Sequence, residues 1–204
     1  MGIDEIREKL ERNVPKPIDV KNKYSVFIPF IEIDGNYHIL YEVRAKTLNT
    51  QPGEISFPGG KIEKGENCVK AAVRETSEEL LLPENKIEVF SRGDFIVNPY
   101  NSVLYSVVGR LNVDYNKIVP SKDEVDTIFT VPLEYLLNTE PKSYTLDLEV
   151  KHTKHFPYEL IPRGRNYKFR RGRDNVLFYR YDDKIIWGFT ATMTYNLIKK
   201  IRRT

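Results

Sequence analysis

Residues 59–80 read GGKIEKGENCVKAAVRETSEEL: two glycines, then a helical pattern that closes on Arg74, Glu75, Glu78 and Glu79. From Glu66 to about Leu82 the spacing predicts a helix, with Val69, Val73, Thr76 and Leu80 recurring on one stripe. Pro83 is expected to stop it, since proline has no N–H to donate and crowds the turn before it. At about 100° per residue, Glu75, Glu78 and Glu79 project within roughly a third of a turn of one another, away from that stripe. Like charges so spaced repel, and a purely structural helix would place Lys or Arg among them. The plain reading of such a cluster is a solvated helix face. The sharper one is a metal site, because Mg²⁺ or Mn²⁺ accepts hard oxygen ligands and fills its other positions with water and phosphate. Arg74 stands beside Glu75, placed to orient or screen it.

Working outward, KYSVFIPFIEIDGNYHILYEVR (23–44) predicts two strands joined at Asp34-Gly35, a strong hairpin signal. Pro52, Gly53, Pro58, Gly59 and Gly60 make the next segment a loop with short extended pieces. Strands are expected at 86–97, 102–111 and 125–131, and a helix from Pro132, with proline at its first position. The last third offers strand-like SYTLDLEV, NVLFYRY and KIIWG before a helix over 190–201. A short amphipathic helix is expected at 3–12. Irregular alternation of strands and helices predicts an α/β fold, a mixed sheet between helices, in a single domain over 1–204. Trp187 reads as core packing, and the scattered His38, His152 and His155 offer no metal or triad role.

The 204 residues are enough for one domain with a real core. Cys68 is the only cysteine, which excludes an intrachain disulfide and a cysteine zinc site. No apolar run approaches membrane-spanning length, and the opening lacks a signal-type segment. We therefore expect a cytoplasmic protein with no membrane partner. Net charge is only +3, but Arg163, Arg165, Lys168, Arg170, Arg171 and Arg173 crowd into RGRNYKFRRGR. That run reads as a solvated loop, with a phosphate-facing surface as the alternative.

From Gly60 the sequence runs Gly, five residues, Glu66, seven residues, Arg74-Glu75, then Glu78-Glu79. This resembles the Nudix box (60–82 here), the metal-binding loop-helix-loop of hydrolases acting on nucleoside diphosphates linked to another group. Thr76 stands where the family prefers an aliphatic residue and Leu81 where it has a glycine. Upstream, LYEVRAKTLNTQPGEISFPGG (40–60) is similar to the signature that precedes the box in coenzyme A diphosphatases. Arg44, Gly53, Phe57, Pro58, Gly59 and Gly60 fall on its pattern, while Ala45 and Asn49 replace a serine and an arginine. EVDTIFTVPLEYLL and IIWGFTATM also look like that subfamily, and 142–174 is the least clearly matched segment.

The resemblance implies a Nudix α/β/α sandwich and metal-dependent hydrolysis of the coenzyme A pyrophosphate to 3′,5′-ADP and 4′-phosphopantetheine. It implies Mg²⁺ or Mn²⁺ held by Glu75, Glu78 and Glu79. Glu66 would be a further ligand or a support, Arg74 part of the catalytic set, and Arg44, Phe57, Gly59 and Gly60 the contacts to a small-molecule substrate. Two rivals stand beside it. One is a Nudix hydrolase of another diphosphate, such as ADP-ribose or NADH. The other is an idle Nudix module binding nucleotide or RNA through the basic run, although a nucleic-acid partner is not expected. A homodimer is compatible with the sequence.

Overall fold

The computed structural model describes residues 2–14 and 16–202. Helix α1 (Ile3–Glu11) buries none of its side chains. Strands β1 (Asn22–Ile33) and β2 (Asn36–Arg44) form the expected hairpin, with Ile33 opposite Asn36. Asp34 and Gly35 both take positive φ, 49° and 77°, the geometry of a two-residue turn whose twist matches that of the strands. The short β3 (Ile55–Ser56) pairs with β2, and β4 (Gly59–Lys61) pairs with the first half of β1. After helix α2 (Cys68–Glu79) come β5 (Ile87–Asn98), β6 (Ser102–Leu111) and β7 (Val125–Pro132). β6 runs parallel to β1 and antiparallel to β5, while β7 lies antiparallel to β2, so the seven-stranded sheet is mixed.

Alternation along β1 explains why both faces of this sheet are covered. Phe27 and Ile31 point to one core, with Ala72 of α2 and Leu80 just past its end; Ile28 points to the other. That second core holds Leu136 of α3 (Leu133–Asn138) and Ala191 and Ile198 of α4 (Gly188–Arg202). The result is the α/β/α sandwich expected. Pro132 closes β7 and sits just before α3 rather than inside its first turn.

A second sheet was not expected. β8 (Lys142–Leu148), β9 (Gly172–Tyr181) and β10 (Lys184–Trp187) make an antiparallel three-stranded sheet in the order β10-β9-β8. One face packs Tyr179 and Ile186 into the α4-side core. The opposite face carries Tyr144, Phe178 and Trp187, and Trp187 is exposed rather than core. Its ring stacks on Phe178, 6.0 Å between centroids.

Helix α2 is shorter than its hydrophobic pattern at both ends, for identifiable reasons. The Asn67 side chain accepts from the N–H groups of Val69 and Lys70, at 2.9 and 3.0 Å, and so starts the helix at Cys68 instead of Glu66. At the other end Leu81 adopts φ 48° and the Leu82 N–H returns to the Ser77 carbonyl at 3.1 Å. That is a Schellman ending, made with leucine in the left-handed position that glycine usually fills. Pro83 follows a helix that has already stopped. Leu81 is exposed, so its side chain contributes little packing to offset its backbone strain. Leu81→Gly is expected to raise stability by about 0.5–1 kcal/mol, read as a higher urea midpoint at unchanged slope. A lower midpoint would show that the strain argument is wrong.

Candidate active site

The three helix carboxylates are not equivalent, because α2 presents them at different angles to its buried stripe. Measured from buried Thr76, Glu79 lies about 60° around the wheel, Glu75 about 100° and Glu78 about 160°. Exposure follows that order: Glu79 is 2% exposed, the Glu75 side chain 15% and the Glu78 side chain 58%. The expectation that all three point well away from the core is corrected by this wheel. Glu79 sits at the margin of the core itself.

Two backbone contacts fix Glu79 there. Its Oε2 accepts the Gly59 N–H at 2.7 Å, and its main-chain oxygen accepts the Ser121 N–H at 2.8 Å. The second contact ties the loop before β7 to the end of α2. Ser121 in turn accepts the Val125 N–H, and the Glu124 carbonyl accepts the Ala45 N–H, each at 2.8 Å. Glu124 is thereby delivered to the helix, and one carboxylate oxygen each from Glu75, Glu79 and Glu124 lies within 4.8 Å of the others. A fourth acid stands beneath them. Glu42 shares a strand face with Leu40 and is fully buried; its Oε1 accepts from Ser56 at 2.8 Å and its Oε2 has no partner.

Crowding shows in the electrostatics. Burial pushes the Glu79 carboxyl well up, and the nearby Glu42 pushes it further against the opposing Gly59 hydrogen bond. Burial also raises Glu42, with the Ser56 hydrogen bond and Arg44 working against it. Glu75 is raised by burial and drawn back by Arg74. Arg74 is the hub of the outer side. Its Nε and Nη2 hold the two oxygens of Glu66 at 2.9 and 3.2 Å, Nη2 meets Glu75 Oε1 at 3.0 Å, and Nη1 meets Glu78 Oε2 at 3.0 Å. Nη2 also reaches the Lys61 carbonyl at 3.2 Å. Glu66 and Glu78 thus stand on the arginine, outside the trio.

The glycines are placed by contact. A Cβ on Gly60 would overlap the Glu75 carboxylate, and one on Gly59 would overlap the Ser25 carbonyl and the Val26 backbone of β1. Arg44 lies on the same face of β2 as Glu42, donates from Nη2 to the Thr50 carbonyl at 3.3 Å, and keeps a buried Nε without a partner. Phe57 is buried and stacks on Tyr41 at 4.9 Å, inside the α4-side core. Sequence reasoning missed Glu124 and Glu42. Glu42 carried a signal, a carboxylate on the inward face of an alternating strand; Glu124 carried only its place at the head of EVDTIFTVPLEYLL.

The NUDIX domain family matches residues 22–153, the stretch that holds the carboxylate helix and the glycine turn before it. The chain belongs to the Nudix hydrolase family. "Nudix hydrolase 3" of Caenorhabditis elegans is 25% identical over 190 residues, covering 88% of this chain and 73% of the relative. "Peroxisomal coenzyme A diphosphatase NUDT7" of Mus musculus is 35% identical over 120 residues, 58% of this chain and 50% of the relative. "Mitochondrial coenzyme A diphosphatase NUDT8" of Homo sapiens is 28% identical over 173 residues, 83% of this chain and 65% of the relative. The chain thus spans half to two thirds of the length of those two diphosphatases. Among the described residues of this Nudix protein, no helix is long and apolar enough to cross a membrane.

Proposed function

We propose that this Nudix protein hydrolyses the pyrophosphate of coenzyme A to 3′,5′-ADP and 4′-phosphopantetheine, using Mg²⁺ or Mn²⁺, as one domain over the whole chain. The observation that carries the chemistry is the convergence of Glu75, Glu79 and Glu124. The donor set fits a hard divalent cation: three carboxylate oxygens, an unpartnered buried Glu42 Oε2 beneath, and a Gly60 that leaves room for Glu75. Raised carboxyl pKa values point the same way, since a cation would relieve the repulsion that burial intensifies. A bound divalent ion supplies neutralisation of pyrophosphate charge and a more acidic attacking water.

The chain's own residues hold and orient. Glu75, Glu79 and Glu124 are our proposed ligands, with Glu78 joining from the helix's outer edge. The Gly59 N–H locks Glu79 in its rotamer. Arg74 positions Glu75 and Glu78, and Glu66 holds Arg74 rather than the ion. The attacking water's proton goes to a carboxylate of this set. We assign the substrate phosphates to Arg44 and to the Gly59-Gly60 backbone, and give Phe57 the task of seating that backbone from below.

The coenzyme A assignment draws on the 40–60 segment and on the two relatives named coenzyme A diphosphatases. Incubation of the purified protein and Mg²⁺ or Mn²⁺ with coenzyme A, ADP-ribose, NADH and a dinucleoside polyphosphate tests it. Consumption of coenzyme A ahead of the others is the expected result. Loss of ADP-ribose or NADH with coenzyme A untouched would move the substrate, and no turnover of any of them would leave an idle binding module. A cytoplasmic home remains our proposal, beside relatives named peroxisomal and mitochondrial; imaging of a tagged full chain checks it.

A further inference from the structure

Between β8 and β9 the chain leaves the small sheet and folds residues 149–171 into a unit of its own. Its centre is a knot of rings: His152 lies 4.4 Å from Phe169 and 4.8 Å from Phe156, Phe156 5.0 Å from Tyr158, and Tyr167 4.8 Å from Phe169. Its tip is two short 3₁₀ turns, Tyr158–Leu160 and Gly164–Asn166, joined through Arg163 at φ 69°. The Arg165 guanidinium lies over the Tyr158 ring at 4.8 Å and closes the tip on the knot. A merely solvated loop has no need of such internal packing.

The charge of this unit differs in sign from the rest. Eight Lys or Arg against two Glu give residues 149–173 a net +6, in a chain whose total is +3, so the remainder carries −3. All eight cations are exposed. Arg171 and Arg173 meet Glu149 and Asp147 at 3.9 and 3.3 Å, while Arg163, Lys168 and Arg170 have no ion-pair partner among the described residues. Beside them stand uncovered aliphatic side chains, Leu160 at the tip, 77% exposed, and Val150 where the excursion begins, 52% exposed.

We propose that residues 149–173 are a docking surface for an anionic lipid bilayer. Leu160 enters the headgroup boundary, and Arg163, Lys168 and Arg170 meet the lipid phosphates and carboxylates. Charge complementarity selects a polyanion, and two features favour lipid over nucleic acid. The rings that would have to stack on bases are packed on one another, and of the five only Tyr167 is exposed. The most exposed large apolar side chain of the unit is a leucine, which has no π-face for a base and does have a place among acyl chains. Adsorption needs no spanning helix, so the expectation of no membrane partner, drawn from the lack of an apolar run, is revised here for the surface alone. The proposal stands independently of the substrate.

The test is sedimentation of the full chain with vesicles of pure phosphatidylcholine, and of phosphatidylcholine with about one third phosphatidylserine, at about 0.1 M salt. Binding is expected to the mixed vesicles and not to the neutral ones. The variant R163Q/K168Q/R170Q is expected to bind roughly a hundredfold more weakly. L160S should bind more weakly at full charge. All three arginine and lysine positions and Leu160 are exposed, so both variants should keep the parent's thermal midpoint and turnover. Equal binding to both vesicle types, or undiminished binding of the triple variant, would overturn the proposal. So would capture of single-stranded RNA without capture of the mixed vesicles. A higher KM for coenzyme A in the triple variant with vesicle binding intact would assign the cations to the substrate instead.

Discussion

Glu79→Gln is expected to lower turnover by about three orders of magnitude or more while leaving the protein folded. The exchange keeps shape and keeps an oxygen to accept the Gly59 N–H. What it removes is one charge from the trio of Glu75, Glu79 and Glu124. Without metal the variant is expected to be more stable than the parent by about 1 kcal/mol, because no carboxylate has to be buried there or set against buried Glu42. With Mn²⁺ the order reverses. The parent gains stability by mass action, by about 2.7 kcal/mol at a hundred times the dissociation constant, and the variant gains much less. Thermal melts of both proteins with and without Mn²⁺, together with one hydrolysis assay, read all of these outcomes. Near-normal turnover in the variant would end the case for a metal centre on α2.

The second large effect separates two adjacent glycines. In Gly60→Ala the three atoms nearest the new methyl all belong to the end of the Glu75 side chain, which can swing away. Folding stability should therefore change little, whereas activity should drop by roughly a hundredfold or more because Glu75 leaves its place. In Gly59→Ala the methyl meets the Ser25 carbonyl and the Val26 backbone, where β4 begins its pairing with β1, at a φ of 154°. Backbone there cannot yield without breaking the ladder, and a loss of about 3 kcal/mol or more in urea unfolding is expected. If the two variants lost stability equally, the placement of Glu75 over Gly60 would be wrong.

What the sequence made legible was local. Asp34-Gly35 fixed a hairpin, the 3.6-residue stripe placed α2, and alternation placed β5, β6 and β7 to within a residue or so. The glycine-to-glutamate spacing placed Glu75 and Glu79 on that helix beside a glycine turn. The rest depended on contacts between distant segments. Glu124 reaches the trio only because the Ser121 N–H caps the Glu79 carbonyl, a bond that no local pattern announces. The unequal burial of Glu78 and Glu79 depends on which flank of the stripe the sheet covers, since neighbours on a wheel differ only by angle. The small sheet escaped notice because its strands β8 and β9 pair across the long excursion, and β8 carries no buried residue to give it a hydrophobic face. Leu81 illustrates the opposite limit: the helix ending that turns Leu82 back into the core places a left-handed leucine where propensity alone would not.

The parallel partnership of β1 with β6 also sets a timetable for synthesis. Asn22 pairs with Ser102 and Phe30 with Arg110, so each residue from Asn22 to Phe30 waits for a partner made eighty positions later. At about 5–20 residues per second, a ribosome takes roughly 4–16 s to supply it. During that interval the edge of β1 that β6 will take is unpaired, as is the edge of β2 that waits still longer for β7, and Phe27 and Ile31 lack the Val107 and Leu111 that later pack with them. The helix that will bear Glu75 and Glu79 is already translated, yet one side of the strand it must settle on is still open. Chaperones that shield apolar strands have their moment then, and it closes when residue 110 leaves the exit tunnel.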